Sequence, residues 1–408
     1  MPVGRRLGVL FRQQLHHHNL LPRAFSLSPS RQSRAYSRPP PSNRKLNLPI
    51  DFNASCLLAH SSATALANPE LPGDVRASTT TKKMNYFQAV NDALAAILEE
   101  DERACIFGED VAFGGVFRCT TSLSDRFGSQ RVFNTPLTEQ GIIGFAIGLA
   151  AQGHTALPEI QFADYMFPAF DQLHNEASKY RYRAGGAKSF TSGHLVVRMP
   201  TGAVGHGALY HSQSPEGFFS GCQGLKVVIP RGPIQAKGLL LEAAQGAHDP
   251  VIFMEPKILY RAAVEQVPTA PYRLPIGKAE ILKEGKDLTI ISYGTMVYIC
   301  EAAIKHIEKE LGVTVELIDL RTIRPWDKKT VEGSVNKTGR CIVVHEASRT
   351  GGVGEGVASE VAERCFLRLE APVCRVTGFD THVPLAFESF LMPDVAKVFD
   401  GAKKTLEY

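Results

Sequence analysis

The chain has 408 residues, 44% of them hydrophobic and 21% charged, which is too long for one small core and ordinary for a globular enzyme of two domains. Its formal net charge of +4 conceals an asymmetry: residues 1–50 hold no Asp or Glu but carry Arg5, Arg6, Arg12, Arg23, Arg31, Arg34, Arg38, Arg44 and Lys45, and without these nine charges the balance is −5. A basic nucleic-acid surface is therefore not supported, and eight scattered cysteines with no C-x-x-C pair read as reduced side chains rather than disulfides or a zinc site.

In chain order, residues 1–50 are rich in Ser and Pro, with Leu7, Val9, Leu10 and Phe11 set among the arginines. That pattern fits a mitochondrial transit peptide and disordered lead-in, and places the mature protein in the matrix. Residues 51–83 read as a linker. Periodic structure begins near Met84: Ala89, Val90, Ala93, Leu94, Ile97 and Leu98 repeat at helical spacing, and Cys105 to Phe107 form a strand ending in Gly108-Glu109-Asp110. Further strands are expected at Val132 to Asn134, Thr155 to Phe162, Leu195 to Met199, Lys226 to Ile229 and Val251 to Glu255, most separated by helical patterns.

This alternation predicts an α/β domain over 84–256 with a parallel sheet covered on both faces, whose ligands collect beyond the C-terminal strand ends. The prolines of 257–286 mark a linker. A second alternation follows over 287–408: a strand from Leu288 to Tyr293, a helix carrying Ile299, Ala302, Ala303 and Ile307, strands from Val313 to Leu320 and Cys341 to His345, and a closing helix from Ala396 to Leu406. No repeat period stands out, so a solenoid is unsupported. Gln140 to Pro158 lacks charge for 19 residues, but its polar members leave an apolar run of only about a dozen, short of the roughly 20 a membrane-spanning helix needs. It reads as a buried or subunit-interface helix.

The richest local signal is Glu139, which ends a polar turn and opens a helix carrying Gly144 and Gly148 one turn apart. A carboxylate at a helix N-terminus meets unpaired N–H groups that favour anions. Taken alone, it reads first as a capping residue on a buried helix whose glycines permit close packing. Other chemistry-bearing residues stand in ordered motifs: Gln161-Phe162-Ala163-Asp164-Tyr165 after a strand, and His211 in the glycine-rich run Gly205 to Gln213. Ser212 and Ser214 flank the histidine, but with no G-x-S-x-G elbow a serine hydrolase is not indicated.

Together the segments T-P-L-T-E-Q-G, Q-F-A-D-Y-M-F-P-A-F-D-Q, G-H-G-A-L-Y-H-S-Q-S-P-E, K-V-V-I-P-R and E-P-K-I-L-Y-R resemble those of thiamine-diphosphate-dependent 2-oxo acid dehydrogenases, specifically beta subunits of the branched-chain type. The resemblance runs from about Met84 to the C-terminus. It implies two doubly wound domains, a pyrimidine-binding domain followed by a transketolase C-terminal-like domain, and oxidative decarboxylation of the 2-oxo acids derived from Val, Leu and Ile, with acyl transfer to lipoamide.

By the same resemblance Glu139 meets the aminopyrimidine ring of thiamine diphosphate, in a water-poor site that would raise its carboxyl pKa. Leu137, Gln161 and Tyr165 line that ring, with Gln161 one helical turn before Tyr165, and His211 faces the intermediate and the incoming lipoyl group. A structural potassium is implied on backbone oxygens at Gly193, Leu195, Val196, Ala243 and Asp249, although this chain is one residue longer than the family pattern between Leu241 and Pro250. Family enzymes hold magnesium and the diphosphate through Gly-Asp-Gly, and this chain has no such triplet. That absence implies an alpha subunit carrying the diphosphate half, an alpha2-beta2 heterotetramer in which the Gly144 to Gly148 helix packs at an interface, and docking onto a lipoyl-bearing acyltransferase core. Two readings stay open beside it: a pyruvate-specific beta subunit, and a non-catalytic scaffold.

Overall fold

The computed structural model describes residues 50–78, 80–185 and 194–408; the segment read as a transit peptide, apart from Ile50, lies outside them. Helix Tyr86–Glu100 shows how local sequence sets the elements. Asn85 accepts from the Gln88 N–H while the Gln88 side chain accepts from the Asn85 N–H, a reciprocal cap. The apolar positions read from the sequence are all buried, and fully burying each larger one is worth about 1.5–3 kcal/mol. The helix stops at Asp101, whose backbone turns extended, and the chain enters the strand Cys105–Gly108.

That strand belongs to a seven-stranded sheet ordered Thr322–Arg324, Lys226–Val228, Val251–Pro256, His194–Thr201, Thr155–Glu159, Cys105–Gly108, Val132–Asn134. The last six run parallel, and Thr322–Arg324 joins the edge antiparallel. From Cys105–Gly108 the chain passes first to the neighbour on one side, Val132–Asn134, and then to the other side, Thr155–Glu159. The direction of winding therefore reverses around Cys105–Gly108, and such a switch point opens a crevice beyond the carboxyl ends of the strands. Gly108 makes this approach possible: at φ +155° an added Cβ would lie 2.5 Å from the Glu159 carbonyl.

A second sheet orders Cys374–Thr377, Cys341–His345, Leu288–Ser292, Val315–Asp319 and Glu280–Lys283, all parallel but the last. One apolar cluster joins the two sheets, with Ile252 and Met254 of the first packed with Ile291, Tyr293 and Ile318 of the second. The two doubly wound domains thus share a core.

The stretch read as a linker over 51–83 is anchored at several points. Ser55 donates to Glu301 at 2.7 Å, the Ala59 N–H to Glu265 at 2.9 Å, and both Arg321 terminal nitrogens to Glu70 at 2.6 and 2.8 Å. Thr81–Asn85 then pairs antiparallel with Val264–Pro268, a strand within the proline-marked stretch 257–286. Some expected strand ends move: Thr155 to Phe162 stops at Glu159, and Val313 to Leu320 is trimmed at both ends to Val315–Asp319. Beyond Glu159 the next residues leave the ladder to build the site. Among the described residues no helix is long and apolar enough to cross a membrane.

At the centre of the first sheet, three adjacent strands are cross-linked inside the core. Arg198, fully buried, donates from Nη1 to Glu159 at 2.7 Å and from Nε and Nη2 to Glu255 at 2.8 and 2.9 Å. Tyr260 adds a 2.6 Å bond to Glu255. Burial pushes the Glu159 carboxyl up, against the pull of Arg198. Removing the guanidinium strands two carboxylates in a dry interior. Arg198→Met is expected to lower stability by about 3–5 kcal/mol in urea unfolding, and a loss under about 1 kcal/mol would show that the carboxylates find other partners or protons.

Candidate active site

Three strand ends and one helix start converge at the switch point. Glu109 and Asp110 follow Cys105–Gly108, Gln161 and Phe162 follow Thr155–Glu159, and Glu139 opens the helix Glu139–Ala151 after Val132–Asn134. Thr138 caps that helix, accepting from the Gly141 N–H at 3.3 Å, while the other N–H groups of the first turn have no partner within the helix.

Tyr165 and His211 meet directly, the phenol oxygen and the imidazole Nε2 sharing a 2.9 Å hydrogen bond. Phe162 stands edge-on to both, 4.7 Å from the His211 ring and 5.4 Å from the Tyr165 ring between centroids. Gln161 donates from Nε2 to Asp110 at 3.1 Å, and Asp110 adopts the left-handed conformation at φ 60°, which Asp tolerates better than most residues. The Tyr165 phenol is pushed up first by burial and then by Asp164, Glu109 and Glu139. Its field therefore ties Tyr165 to both glutamates.

Of the residues expected at the cofactor, Glu139, Gln161, Tyr165 and His211 come together, and Leu137 lies two positions before Glu139 with 83% of its surface exposed. Two expectations need correction. Gln161 is not on a helix with Tyr165: Phe162 is extended, and a tight 3-10 turn, Ala163–Ala169, begins only after it. The water-poor setting foreseen for Glu139 is absent within this chain, where the residue is half-buried beside the exposed Leu137 and Phe145. Gly144 and Gly148, expected at a subunit interface, are uncovered within this chain, since a Cβ on either would meet nothing within 4 Å. The start of the Glu139 helix thus presents an open surface.

Glu109 escaped the sequence reading. It is 6% exposed, and its carboxyl is pushed up by burial first and then by the negative charges of Glu139 and Asp110. The only hint was position, an acid directly after a strand. The Glu139 charge thus reaches Glu109, which lies on the same side of the aromatic pair.

These residues suit an aminopyrimidine. A half-buried carboxylate can exchange a proton with a ring nitrogen, Tyr165 and Leu137 offer a face and an apolar edge, and the buried Thr135 hydroxyl nearby in sequence has no partner among the described residues. They do not suit a magnesium diphosphate, which needs several hard oxygen ligands: no group of three His, Cys, Asp or Glu able to hold a metal occurs among the described residues.

The residues expected around potassium lie at the other end of the sheet. Leu195 and Val196 begin His194–Thr201, Ala243 ends the helix Pro233–Gln245, and Asp249 precedes Val251–Pro256. His194 Nδ1 sits 3.1 Å from the Ala247 carbonyl, drawing these segments together. The Asp249 carboxylate accepts from Arg181 at 2.8 Å and lies 3.8 Å from Lys226. Gly193 is outside the described residues.

Residues 82–263 match the model of the transketolase pyrimidine-binding domain and residues 277–398 that of the transketolase C-terminal domain. The chain is 63% identical over 396 residues to the mitochondrial 2-oxoisovalerate dehydrogenase subunit beta of Chaetomium thermophilum, covering 97% of this chain and 83% of that one. It is 58% identical to the counterpart in Dictyostelium discoideum, covering 80% and 88%. Against a pyruvate dehydrogenase E1 subunit beta of Staphylococcus epidermidis identity is 45%, covering 80% and 99%. The fold also matches a solved split-gene transketolase, described as an inactive beta4 tetramer, with TM-score 0.65, 23% identity and coverage of 79% and 99%.

A carboxyl raised on folding adds stability that is complete below its unfolded value and is lost as pH rises through its folded one. For Glu109 that loss falls above the usual carboxylate range. Glu109→Gln is therefore expected to be more stable than the parent near pH 8, with the difference gone near pH 4. Equal stability near pH 8 in urea unfolding would mean that the carboxylate carries no such strain.

Proposed function

The chain belongs to the family of 2-oxoisovalerate dehydrogenase beta subunits, and from that premise we propose that the surface around Glu139 is the aminopyrimidine half of a thiamine-diphosphate site shared with an alpha subunit. As the beta subunit of the branched-chain 2-oxo acid dehydrogenase, decarboxylating component, it serves breakdown of Val, Leu and Ile in the mitochondrial matrix, with acyl transfer to lipoamide. One observation carries the shared-site reading: the candidate residues face an open surface, with Leu137 83% exposed, and no metal-holding group stands near them among the described residues.

Thiamine diphosphate, when bound, supplies the electron sink that decarboxylation of a 2-oxo acid requires. The Glu139 carboxylate, held at a helix N-terminus, exchanges a proton with the aminopyrimidine. Glu109, nearby and pushed up by burial and by the Glu139 charge, places a second carboxyl on that side of the ring. Tyr165 orients the ring and steadies His211 through Nε2, leaving Nδ1 to exchange a proton with the reacting acyl group or the lipoyl sulfur. Asp110 fixes Gln161 at the rim.

An alpha subunit is the general partner. The finer assembly follows from the resemblance: an alpha2-beta2 heterotetramer covering the Gly144 and Gly148 face, magnesium held mainly by the alpha chain, and docking of the C-terminal domain onto a lipoyl-bearing acyltransferase core. Potassium is assigned on the same ground to backbone oxygens at Gly193, Leu195, Val196, Ala243 and Asp249.

In the co-purified complex, Glu139→Gln is expected to lower turnover of 2-oxoisovalerate by about 10²–10⁴-fold with the assembly intact. Near-normal turnover would make the chain a scaffold. The parent complex is expected to prefer 2-oxoisovalerate to pyruvate in kcat/KM, and the reverse order would transfer the chain to the pyruvate-specific type.

A further inference from the structure

His211 sits on a loop whose supports come largely from the other domain. The loop is closed at its base where the Gly202 N–H donates to the Gln213 carbonyl at 3.0 Å, and between these points it makes no ladder bonds. Three carboxylates hold it. Glu346, directly after the strand Cys341–His345, accepts from the Ala203 N–H at 3.0 Å. Glu388, at the start of the short helix Glu388–Leu391 and 4% exposed, accepts from the Gly205 N–H and from the Ser212 hydroxyl at 3.4 Å. Asp164, from the first domain, accepts from the Gln213 N–H at 3.0 Å.

Beneath these acids lies one cation. Lys257 is 6% exposed, its ammonium has no hydrogen-bond partner among the described residues, and it stands 5.8 Å over the Phe162 ring that His211 meets edge-on. Burial pushes the Lys257 ammonium down to about 8, partly offset by Asp164, Glu346 and Glu388. Gly202 shows how close the fit is: at φ +86°, an added Cβ would lie 2.6 Å from the Glu346 carboxylate. Carboxylate bonds to backbone N–H groups are charge-assisted and among the stronger ones available. They also bind main chain, so they fix the path of the loop whatever its side chains.

We propose that Glu388, seconded by Glu346, is a positioning residue for His211, so that the C-terminal domain sets the geometry of a histidine carried by the pyrimidine-binding domain. Neither glutamate touches the reacting atoms. They act by holding Ala203, Gly205 and Ser212, which bracket the turn Ala208–Tyr210 and deliver Nε2 to Tyr165. This rests on the reading of His211 as the proton-moving group, and the test separates the two.

The test uses the assembled complex of both subunits with thiamine diphosphate and magnesium, and measures lipoyl acylation. Glu388→Ala is expected to lower kcat about tenfold while leaving KM for 2-oxoisovalerate within about twofold. Glu388→Gln, which still offers an oxygen to the Gly205 N–H, should recover most of the loss. In a His211→Ala background, Glu388→Ala should have no further effect, because a residue that acts through the histidine is silent once the histidine is gone. If Glu388→Ala does not assemble, Ser212→Ala, which removes a single hydroxyl, is put through the same cycle with a two- to threefold loss expected. Losses that multiply with that of His211→Ala, or no loss in the single variants, overturn the positioning role. An unchanged rate in His211→Ala alone overturns the assignment of the histidine instead.

Discussion

The active-site side of this protein depends on one buried ion triad. Arg198 ties Glu159 and Glu255 across three adjacent parallel strands with bonds of 2.7 to 2.9 Å. Such a group is costly to desolvate, and an apolar replacement of equal shape would often be as stable. What it supplies is registration. Each tethered strand releases a working segment within a few residues of the triad: Gln161 and Phe162 after Glu159, the His211 loop after Arg198 and Thr201, Lys257 after Glu255. A slip of one strand would displace all three.

Above that platform the chain builds a surface. The glutamates, the Tyr165 and His211 pair and the exposed Leu137 leave one side of the site to solvent, and the glycines of the Glu139 helix face the same lack of cover. An open site is poor at sharing protons, since water screens each charge. Desolvation, and with it strong coupling of Glu139 to its ligand, must come from another molecule. On the proposed reading, pairing with an alpha subunit supplies that desolvation. The second domain has a related role within the chain, because it shares the apolar core and reaches over to hold the histidine loop.

Much of this was legible in the sequence wherever a signal was local. The helix from Tyr86 announced itself through apolar spacing, the short bounded strands through alternation, and Glu139 through its place before a glycine-bearing helix. The resemblance then joined Gln161, Tyr165 and His211 to that glutamate, and the structure brings the four together. What stayed hidden depends on contacts distant in sequence. Glu109 reads as any acid after a strand until Glu139 is placed beside it. Glu346 and Glu388 lie more than a hundred residues from the loop they hold. The segment 51–83 has the Ser and Ala content of a linker, and its anchoring rests on Glu70 meeting Arg321. The strand Thr322–Arg324 is too short to show a period, and it belongs to the sheet of the other domain. Gln161 was set on a helix with Tyr165 because spacing cannot reveal that Phe162 is extended.

The central claim is that this chain holds half of a thiamine-diphosphate site, and calorimetry tests it most directly. The chain from about residue 51 onward, purified alone and co-purified with its alpha subunit, is titrated with thiamine diphosphate in the presence of magnesium. The account predicts tight binding only when both chains are present. Tight binding by this chain alone would contradict it, because this chain would then have to hold the diphosphate and magnesium itself.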